Sequence, residues 1–593
     1  MKRRKQATAT SIFISPKRFA FVACIVAFMF CAVAGRLYYL HVVRSPASVA
    51  ATDKARNRLD VINARRGEIT DARGNIMATS RPVIDLGVDQ IAFKNTPENA
   101  EKLAKIAPLL SMTPQELLAK CVPADGSAPR RWEKLADSLP EPVYERILEQ
   151  KIKGIYGNRK YVRTYPLGRL ASHAVGFVNR EFAPVSGIER QFDFYMRGQN
   201  GWIETERDGK RREQPQFRDR VVNPVDGLNV QLTIDSIIQE MVQRQLAKIA
   251  REYSPEFATI IVSDPSTGYI LAMGSYPDFD PNDYNKAAPD ALRNRAISDQ
   301  YEPGSTFKIV PVSAALNEGL VGPEDKFDCN APTATFRGKE LRLPKEAHSM
   351  GILSVRDIVK KSSNKGSARL GMMLGEKNLY EYARAFGYGE KTGLGLVGEI
   401  GGTLHKVSEW DGLTITRLPM GHAVAATPLQ VHCAMSVIAN QGIYMQPQLV
   451  KRVYDNAGET KIAYPPRGVR RVISAKIATL MGEMLSEVVS DTGTARRAKV
   501  GGFKVAGKTG TSQKLVNGAY SNRVHVGSFT GFFPAQRPRL VITVVVDSPH
   551  LKGVGYGGIV AAPAFREIAE QAAKYLGIQT DEEFEKKVAW KGF

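Results

Sequence analysis

The chain has 593 residues, enough for several domains, and its 43% apolar and 24% charged residues are typical of a globular protein rather than a disordered one. Its formal net charge is +22, which favours an anionic partner such as nucleic acid, a membrane surface or cell wall. We expect no nucleic acid, because no dense Lys/Arg run follows the N-terminus and no zinc-finger or RNP-like motif is present. The scattered histidines also lack metal-ligand spacing, so no metal site is expected.

The N-terminus is basic and then apolar. Residues 1–18 contain several lysines and arginines and no acid, and residues 19–35 carry no charge. We predict a basic tail at 1–18 and a transmembrane anchor helix at 19–40, with the N-terminus cytoplasmic and the rest of the chain outside. A cleaved signal peptide, suggested by the triplet Ala32-Val33-Ala34, and a buried helix are the alternatives.

Residues 41–226 mix strand and helix patterns and contain no catalytic spacing. Residues 66–78 predict two short strands around an Asp-x-x-Gly turn, and residues 97–153 are helical in tendency, with a helix start at Thr113. Residues 187–192 begin another charged segment. A scaffold or interaction module is the predicted role of this region.

A domain boundary is predicted near residues 223–227. After it, Asp235 can cap a helix with apolar residues at helical spacing, namely Ile238, Met241, Val242, Leu246 and Ile249. Strands are predicted at 258–262 and 269–274, joined by a turn at 264–268, and near the end at 524–530 and 540–546, followed by a helix at 564–576. Early and late strands around a helical middle predict an α+β fold with an antiparallel sheet.

Three short motifs carry the chemistry. Ser305 and Lys308 are three residues apart after a Pro-Gly break, so on a helix the amine lies beside the hydroxyl and can activate it. Alone, this pair is as well explained by an N-cap serine and a solvated lysine. The stretches Ser362-Ser363-Asn364 and Lys508-Thr509-Gly510-Thr511 follow in the same chain. Together the three are the signature of penicillin-binding proteins and class A β-lactamases.

The last motif has a rival interpretation. Residues 502–509 formally fit G-x-x-x-x-G-K-[ST], the phosphate loop of nucleotide-binding proteins. A phosphate loop leads directly into a helix. Here Gly510 follows at once and Asn517-Gly518 predicts a hairpin turn, so strand–turn–strand is favoured.

From about residue 229 to 576 the chain resembles the penicillin-binding transpeptidase domain, and as a whole it resembles a monofunctional class B penicillin-binding protein. Arg66-Gly67 and Gly187-Ile188-Glu189 match the pedestal of that class, and residues 395–402 and 427–430 resemble its cell-division type. The resemblance implies a pedestal at 41–226, a transpeptidase domain at 227–578 with helices on both faces of its sheet and a helical subdomain, and a tail at 579–593. A bifunctional enzyme is disfavoured because the region before residue 227 is short for a glycosyltransferase.

The resemblance also assigns catalytic roles. Ser305 is the implied nucleophile that forms an acyl-enzyme with a D-alanyl-D-alanine stem peptide. Lys308 is the implied base, and the charge of Lys508 is expected to lower its pKa. Ser362 relays a proton to the leaving amine, and Asn364 binds the peptide and holds Lys308.

Substrate binding is assigned to the third motif. Lys508 and the hydroxyls of Thr509 and Thr511 receive the terminal carboxylate, and Gly510 lets the backbone approach closely. The backbone N–H groups of Ser305 and Thr511 form the implied oxyanion hole.

The resemblance further implies partners and a location. The partners are peptidoglycan stem peptides, β-lactams, and a SEDS-type glycan polymerase with other division-complex membrane proteins; no cofactor is implied. The location is the inner membrane, single-pass. An elongation-type transpeptidase, a D,D-carboxypeptidase, a β-lactamase, a penicillin-sensing receptor and a non-catalytic scaffold are the alternatives. The third residue of the stem peptide and any pairing among Cys121, Cys329 and Cys433 stay open.

Overall fold

A computed structural model describes residues 15–44, 57–124, 127–206, 220–346, 348–516, 519–551 and 553–591. Most of the predicted basic tail (residues 1–14) and the predicted Asn517-Gly518 turn lie outside these residues. The chain divides into two compact units, one made of residues up to 64 with 199–225, and the other of residues 65–198 with 226 to the end.

The first unit contains the apolar helix and a small sheet. Helix α1, Pro16–Tyr38, continues as a π-helical turn, Tyr39–Val43. The combined segment has a mean hydropathy of 2.2 over its 18-residue window and is not buried, so by length and composition it can cross a membrane. Strand β1, Asn57–Ile62, belongs to a three-stranded antiparallel sheet whose other strands lie at Gly201–Glu206 and Arg220–Val222.

The pedestal part of the second unit has strands and helices in alternation. Its strands are β2 Ile69–Thr70, β3 Ile76–Val88, β4 Glu133–Leu139 and β5 Ile155–Thr164. Its helices are α2 Pro97–Ile106, α3 Pro114–Cys121, α4 Glu141–Leu148, α5 Ser172–Val175, α6 Gly187–Gln191 and α7 Asp193–Met196. The two strands of the first unit named above, Gly201–Glu206 and Arg220–Val222, are β6 and β7.

The sequence predictions for this region are confirmed at two points and wrong at one. The turn between β2 and β3 is where the Asp-x-x-Gly pattern predicts it, and Thr113 caps α3 in a capping box with Glu116. The helical tendency predicted over residues 97–153 fails at β4. There Ala136 pairs with Leu86 of β3, so long-range sheet pairing overrides local helix propensity.

The larger part of the second unit begins at residue 226. Its strands are β8 Asn229–Leu232, β9 Phe257–Ser263, β10 Ile270–Tyr276, β11 Lys326–Asp328, β12 Thr333–Phe336, β13 Lys339–Arg342, β14 Ile352–Ser354, β15 Thr403–Leu404, β16 Val424–Ala425, β17 Ile443–Met445, β18 Val450–Tyr454, β19 Thr460–Ala463, β20 Gly468–Arg471, β21 Ala506–Val516, β22 Ala519–Phe533 and β23 Leu540–Asp547. Its helices are α8 Ser236–Tyr253, α9 Arg295–Ser298, α10 Ile309–Asn317, α11 Val355–Lys361, α12 Asn364–Ala385, α13 Thr414–Arg417, α14 Pro428–Ala439, α15 Ala475–Val488, α16 Gly557–Val560, α17 Ala562–Leu576 and α18 Asp581–Lys591.

A five-stranded antiparallel sheet with the order β10-β9-β23-β22-β21 forms the centre of this part. The predicted strand pairs are confirmed, and the turn at residues 264–268 joins β9 to β10. Asp235 caps α8 by accepting hydrogen bonds from the backbone N–H groups of Ile237 and Ile238. All five apolar residues predicted to line the inner face of α8 are buried.

Helices cover both faces of this sheet. On one face, the ring of Phe565 in α17 lies 4.9 Å from that of Phe529 in β22. On the other, His432 of α14 hydrogen-bonds Ser263 of β9 at 2.6 Å and Thr543 of β23 at 2.9 Å. Because successive strand residues point to opposite faces, the sheet is buried on both sides. The α+β prediction is confirmed.

A second, seven-stranded sheet includes strands from both sides of the predicted boundary at 226/227. It contains β19, β18, β8, β2, β3 and β4 in that order, with β5 paired to β3, and β8 runs parallel to β2. Next to it, the buried carboxylate of Glu189 binds Arg66 at 2.8 Å and Arg163 at 2.6 Å. The exact domain boundary stays a prediction.

The end of the chain is helical, where the sequence was assigned only a tail. Thr580 caps α18 in a reciprocal arrangement with Glu583. Asp581 accepts a hydrogen bond from the backbone N–H of Lys504 at 2.6 Å, and the Arg537 guanidinium lies 3.4 Å from the ring centre of Phe584. The helix therefore contacts the segment that leads into β21.

Candidate active site

Ser305 lies in a short 3-10 helix, Gly304–Lys308, that runs into α10. Gly304 has φ +54° and its N–H donates to Gly421 O at 3.1 Å. A Cβ at Gly304 would lie 3.0 Å from Thr511 O, so glycine allows the nucleophile turn to contact β21. The half-buried Ser305 hydroxyl forms no hydrogen bond with the described residues, which leaves it available to a substrate.

Lys308 is buried and points at the second motif. Its side chain is 1% exposed, and its Nζ donates to Ser362 O at 2.5 Å, to Asn364 Oδ1 at 2.7 Å and to Ser362 Oγ at 3.1 Å. Within the part of the chain described, no hydrogen bond links Lys308 to Ser305. Catalytic hydrogen bonds often tighten only when substrate binds, so this geometry is compatible with a base.

The second motif occupies a helix–helix junction. Ser362 ends α11 in the left-handed region with φ +61°, and Ser363 begins α12 by accepting a hydrogen bond from Gly366 N. This reversal aims the Ser362 hydroxyl at both lysines, because Lys508 Nζ also donates to Ser362 Oγ, at 2.9 Å. Ser362 therefore bridges Lys308 and Lys508.

Burial lowers the pKa of both lysines. The pKa of Lys308 falls from 10.5 to about 7 because desolvation disfavours the ammonium, while the carboxylate of Glu346 opposes the shift. The pKa of Lys508 falls well below its usual value, first through burial and then through the charge of Lys308. Burial, rather than the expected charge of Lys508, is therefore the main cause of the lowered pKa of Lys308.

The third motif lies on β21, the edge strand of the central sheet. A Cβ at Gly510 would lie 2.4 Å from Ser528 Oγ and 3.0 Å from Pro303 O, so this position has no room for a side chain. Thr509 Oγ1 lies 3.1 Å from Thr494 Oγ1, and Thr511 Oγ1 accepts a hydrogen bond from Gly557 N at 3.3 Å. Both threonines and Ser305 line one cavity.

That cavity has a volume of about 1370 Å³ and is the candidate substrate cleft. Its lining includes residues from all three motifs and several cations. A cleft of this size exceeds the usual range for a single small ligand, about 300–1,000 Å³, and is wide enough for an extended peptide.

The sequence did not identify Glu346. Its carboxylate accepts hydrogen bonds from Ser363 Oγ at 2.6 Å, Lys365 N at 2.8 Å and Asn364 N at 3.1 Å. These contacts hold the first turn of α12, where negative charge is favoured by the helix dipole. Glu346 lies in a loop with no motif around it, so no sequence signal marks it.

A second missed group lies beside the nucleophile. Tyr520 Oη donates to the carboxylate of Glu302 at 3.1 and 3.2 Å, and His422 Nε2 lies 3.7 Å from the same carboxylate. Burial lowers the pKa of His422 to about 4, with the charges of Lys308 and Arg417 adding to the effect, so His422 is neutral at pH 7. The position of Glu302, three residues before Ser305, is the one sequence feature that could have indicated this group.

The geometry and the sequence agree with one family. The profile of the penicillin-binding protein transpeptidase domain matches residues 258–570, and that of the penicillin-binding protein dimerisation domain matches residues 61–232. The chain belongs to the penicillin-binding proteins that carry this transpeptidase domain. The family prediction is confirmed.

Similar proteins come from several bacteria. Stage V sporulation protein D of Bacillus subtilis is 32% identical over 97% of this chain and 88% of its own length. Peptidoglycan D,D-transpeptidase FtsI of Escherichia coli is 28% identical over 92% of this chain and 90% of its own.

Solved structures with the same fold also resemble this chain. Penicillin-binding protein 3 of Mycobacterium tuberculosis, complexed with aztreonam, has a TM-score of 0.68 at 27% identity and covers 88% of this chain and 98% of its own. A peptidoglycan synthetase of Bifidobacterium adolescentis has a TM-score of 0.71 at 26% identity, with 89% and 98% covered.

Proposed function

We propose that the chain is a serine-type peptidoglycan D,D-transpeptidase that cross-links stem peptides and is acylated by β-lactams. The observation that carries the proposal is the buried Lys308, three residues after Ser305, whose Nζ hydrogen-bonds Ser362 and Asn364 and whose pKa burial lowers to about 7. A lysine that is about half neutral at pH 7 can act as a base, whereas an exposed lysine with the usual pKa of 10.5 is almost entirely protonated there. The family membership and the relatives named peptidoglycan D,D-transpeptidase support the same function.

Acylation begins when Ser305 Oγ attacks the carbonyl carbon of the penultimate D-alanine and passes its proton to Lys308 Nζ. The carbonyl oxygen becomes an oxyanion, bound by the N–H groups of Ser305 and Thr511. Each such donor contributes about 3–4 kcal/mol in other acyl-transfer enzymes. The C–N bond then breaks, and the proton reaches the departing amine of D-alanine through Ser362, which contacts both lysines.

Substrate binding uses the edge of β21. An edge strand presents unpaired N–H and C=O groups, to which an extended peptide can add as a further strand. Lys508 and the Thr509 and Thr511 hydroxyls receive the terminal carboxylate. Asn364 has its Oδ1 engaged by Lys308, so it fixes the base while its amide donates to Lys345 O at 2.9 Å.

Deacylation by the amine of a second stem peptide completes the cross-link. The amine attacks the ester carbonyl of the acyl-enzyme, Ser305 Oγ leaves and regains a proton, and an amide bond forms. Water in place of the amine would give a carboxypeptidase. We assign the amine as the acceptor because the relatives are named peptidoglycan D,D-transpeptidases.

We assign the enzyme to septal rather than elongation synthesis, with the pedestal and anchor bound to a SEDS-type polymerase and other division proteins. Residues 395–402 and 427–430 support the division type by resemblance. In this fold Glu399 accepts hydrogen bonds from Thr392 N and Gly395 N, and Gln430 donates to Gly401 O, so the two segments stabilise one loop region. We place the N-terminus in the cytoplasm and the catalytic part outside.

The test is intact-mass analysis of the full-length protein in detergent after exposure to benzylpenicillin, with peptide mapping. A one-to-one adduct on Ser305 that is absent from Ser305→Ala is expected. Stem pentapeptides with and without an acceptor amine then separate cross-linking from hydrolysis. No adduct, or an adduct on another residue, contradicts the proposed chemistry.

The cellular role has its own test. Depletion in the source bacterium is expected to give filaments, and a fluorescent fusion should collect at the septum. Rounded cells and a lateral signal would point to the elongation type instead.

A further inference from the structure

The candidate cleft is strongly cationic. It is lined by six basic residues, namely Arg342, Lys345, Lys361, Arg417, Arg496 and Arg497. Its acids are Glu302 and Glu346. Glu346 is engaged by three donors at the start of α12, and Glu302 by Tyr520 and by Ala423 N at 3.3 Å. The basic residues are therefore not neutralised by the cleft itself, and we expect it to attract anions.

One of these cations, Arg417, is half-buried whereas the other five are exposed, and Arg342 is the cation whose charge acts on it. Arg417 is half-buried at the end of α13, and Arg342 ends β13. Within the described residues, neither guanidinium forms an ion pair or a side-chain hydrogen bond. The other four basic residues of the cleft also form no ion pair or side-chain hydrogen bond with the described residues.

The two guanidiniums also affect each other. The pKa of Arg417 is lowered, first by burial and then by the charge of Arg342, while Asp411 and Tyr520 act in the opposite direction. Asp411 is occupied in capping, because it accepts hydrogen bonds from Leu413 N and Thr414 N. Two like charges facing one cavity are relieved by a shared anion, and a guanidinium can bind a carboxylate with two parallel hydrogen bonds.

Their position relative to the nucleophile indicates which part of a peptide they meet. The segment after Arg417 contacts the nucleophile turn through the hydrogen bond from Gly304 N to Gly421 O. In the proposed mechanism the terminal carboxylate lies at Thr509 and Thr511. A peptide antiparallel to β21 therefore runs from there towards the end of the strand that pairs with Tyr520.

The spacing of an extended chain places the middle of a stem peptide along this path. A strand rises about 3.3 Å per residue, so the third residue of a pentapeptide lies about 7 Å before the terminal one. That displacement leads from Thr511 along β21 towards Tyr520, which interacts electrostatically with Arg417.

We infer that Arg342 and Arg417 form a subsite for a free carboxylate of the stem peptide on the acyl side of the scissile bond. The inference rests on the proposed transpeptidase function and narrows its substrate class. A third residue that is a diamino dicarboxylic acid brings such a carboxylate, whereas a lysine there brings only an ammonium that two guanidiniums repel. The γ-linked glutamate at the second position is the other source of a carboxylate.

The first test uses acylation, which needs no membrane partner. Full-length protein in detergent is exposed to two cephalosporins that are identical except for a carboxylate or a carboxamide at the end of the acyl side chain. Their second-order acylation rates are compared in the wild type and in Arg417→Gln, Arg342→Gln and the double variant. Lys339→Gln, which removes a charge from the same strand β13 outside the cleft, is the matched control.

The wild type should prefer the carboxylate compound by about tenfold, equivalent to about 1.4 kcal/mol. Each single variant should lose much of that preference, the double variant all of it, and Lys339→Gln none. Arg417→Lys should recover part of it, because the charge is kept but the two-pronged geometry is lost. Equal acylation by both compounds in the wild type, or a preference that survives in the double variant, overturns the subsite.

The two sources of the carboxylate are separated with stem pentapeptides. One pair differs by amidation of the third residue and another by amidation of the second, and KM is measured for each in the wild type and in Arg417→Gln. If third-residue amidation alone raises KM, and only in the wild type, the diamino dicarboxylic acid is the ligand; the same result at the second residue assigns the glutamate. Absence of acylation by any β-lactam would instead refute the transpeptidase function on which the subsite depends.

Discussion

The pH dependence of acylation tests whether Lys308 takes the proton of Ser305. With a pKa of about 7, Lys308 is about 3% neutral at pH 5.5 and about 90% neutral at pH 8. The rate of acylation by benzylpenicillin should therefore rise about 30-fold between these values and then level off. A lysine with the usual pKa of 10.5 would give a rate that still rises tenfold per pH unit at pH 9.

Glu346→Gln sharpens this prediction. The carboxylate of Glu346 raises the pKa of Lys308, so its removal should move the midpoint of the profile to lower pH. Glu340→Gln, on the exposed hairpin strand β13, is the control and should leave the midpoint in place. The assay is stopped-flow or quenched labelling with a fluorescent penicillin. A midpoint that stays fixed or moves upward in Glu346→Gln refutes the assignment of Lys308 as the base.

Three further changes test other parts of the structure. Gly510→Ala should abolish acylation and destabilise the fold by about 1–3 kcal/mol, because its Cβ would lie 2.4 Å from Ser528 Oγ; Gly412→Ala, with open space around it, should retain the wild-type acylation rate and denaturation midpoint. Glu189→Gln should cost about 3–5 kcal/mol in denaturant unfolding, since it leaves the largely buried Arg163 guanidinium without its ion-pair partner while Arg66 keeps only Asp193, whereas Glu98→Gln on the surface should leave the midpoint unchanged. Cys121, Cys329 and Cys433 are buried free thiols and should react with maleimide only after denaturation; modification of the native protein at these positions would contradict their burial.

The sequence predicted those parts of the site that short motifs mark. The spacing and order of the motifs are specific enough to identify Ser305, Lys308, Ser362 and Lys508. These residues are separated by up to 203 positions in the sequence. The predicted contact of Asn364 with Lys308 is present as a hydrogen bond, and Ser362 also accepts one from Lys308. The catalytic roles themselves remain predictions.

Features set by tertiary contacts could not be found in this way. Glu346, in a loop, and Arg417, at the end of α13, become relevant only because the fold brings them to the cleft, and no local pattern marks either one. Strand β4 exists because β3 pairs with it, against its own helical tendency. The helix at Asp581–Lys591 was missed because a charged end of a chain is usually a solvated tail, and its contact with Lys504 N is invisible in sequence.

The strand order of the central sheet also fixes when the enzyme becomes active during its own synthesis. β23 lies between β9 and β22, so the strand that carries Lys508 joins the first strands of the sheet only through residues 540–547. Ser305 is made 235 to 242 residues earlier. At about 5–20 residues per second, this delay lasts roughly 12–50 s, during which the nascent chain has a serine but no site. A growing chain therefore does not react with β-lactams, and every newly finished molecule presents an unacylated nucleophile.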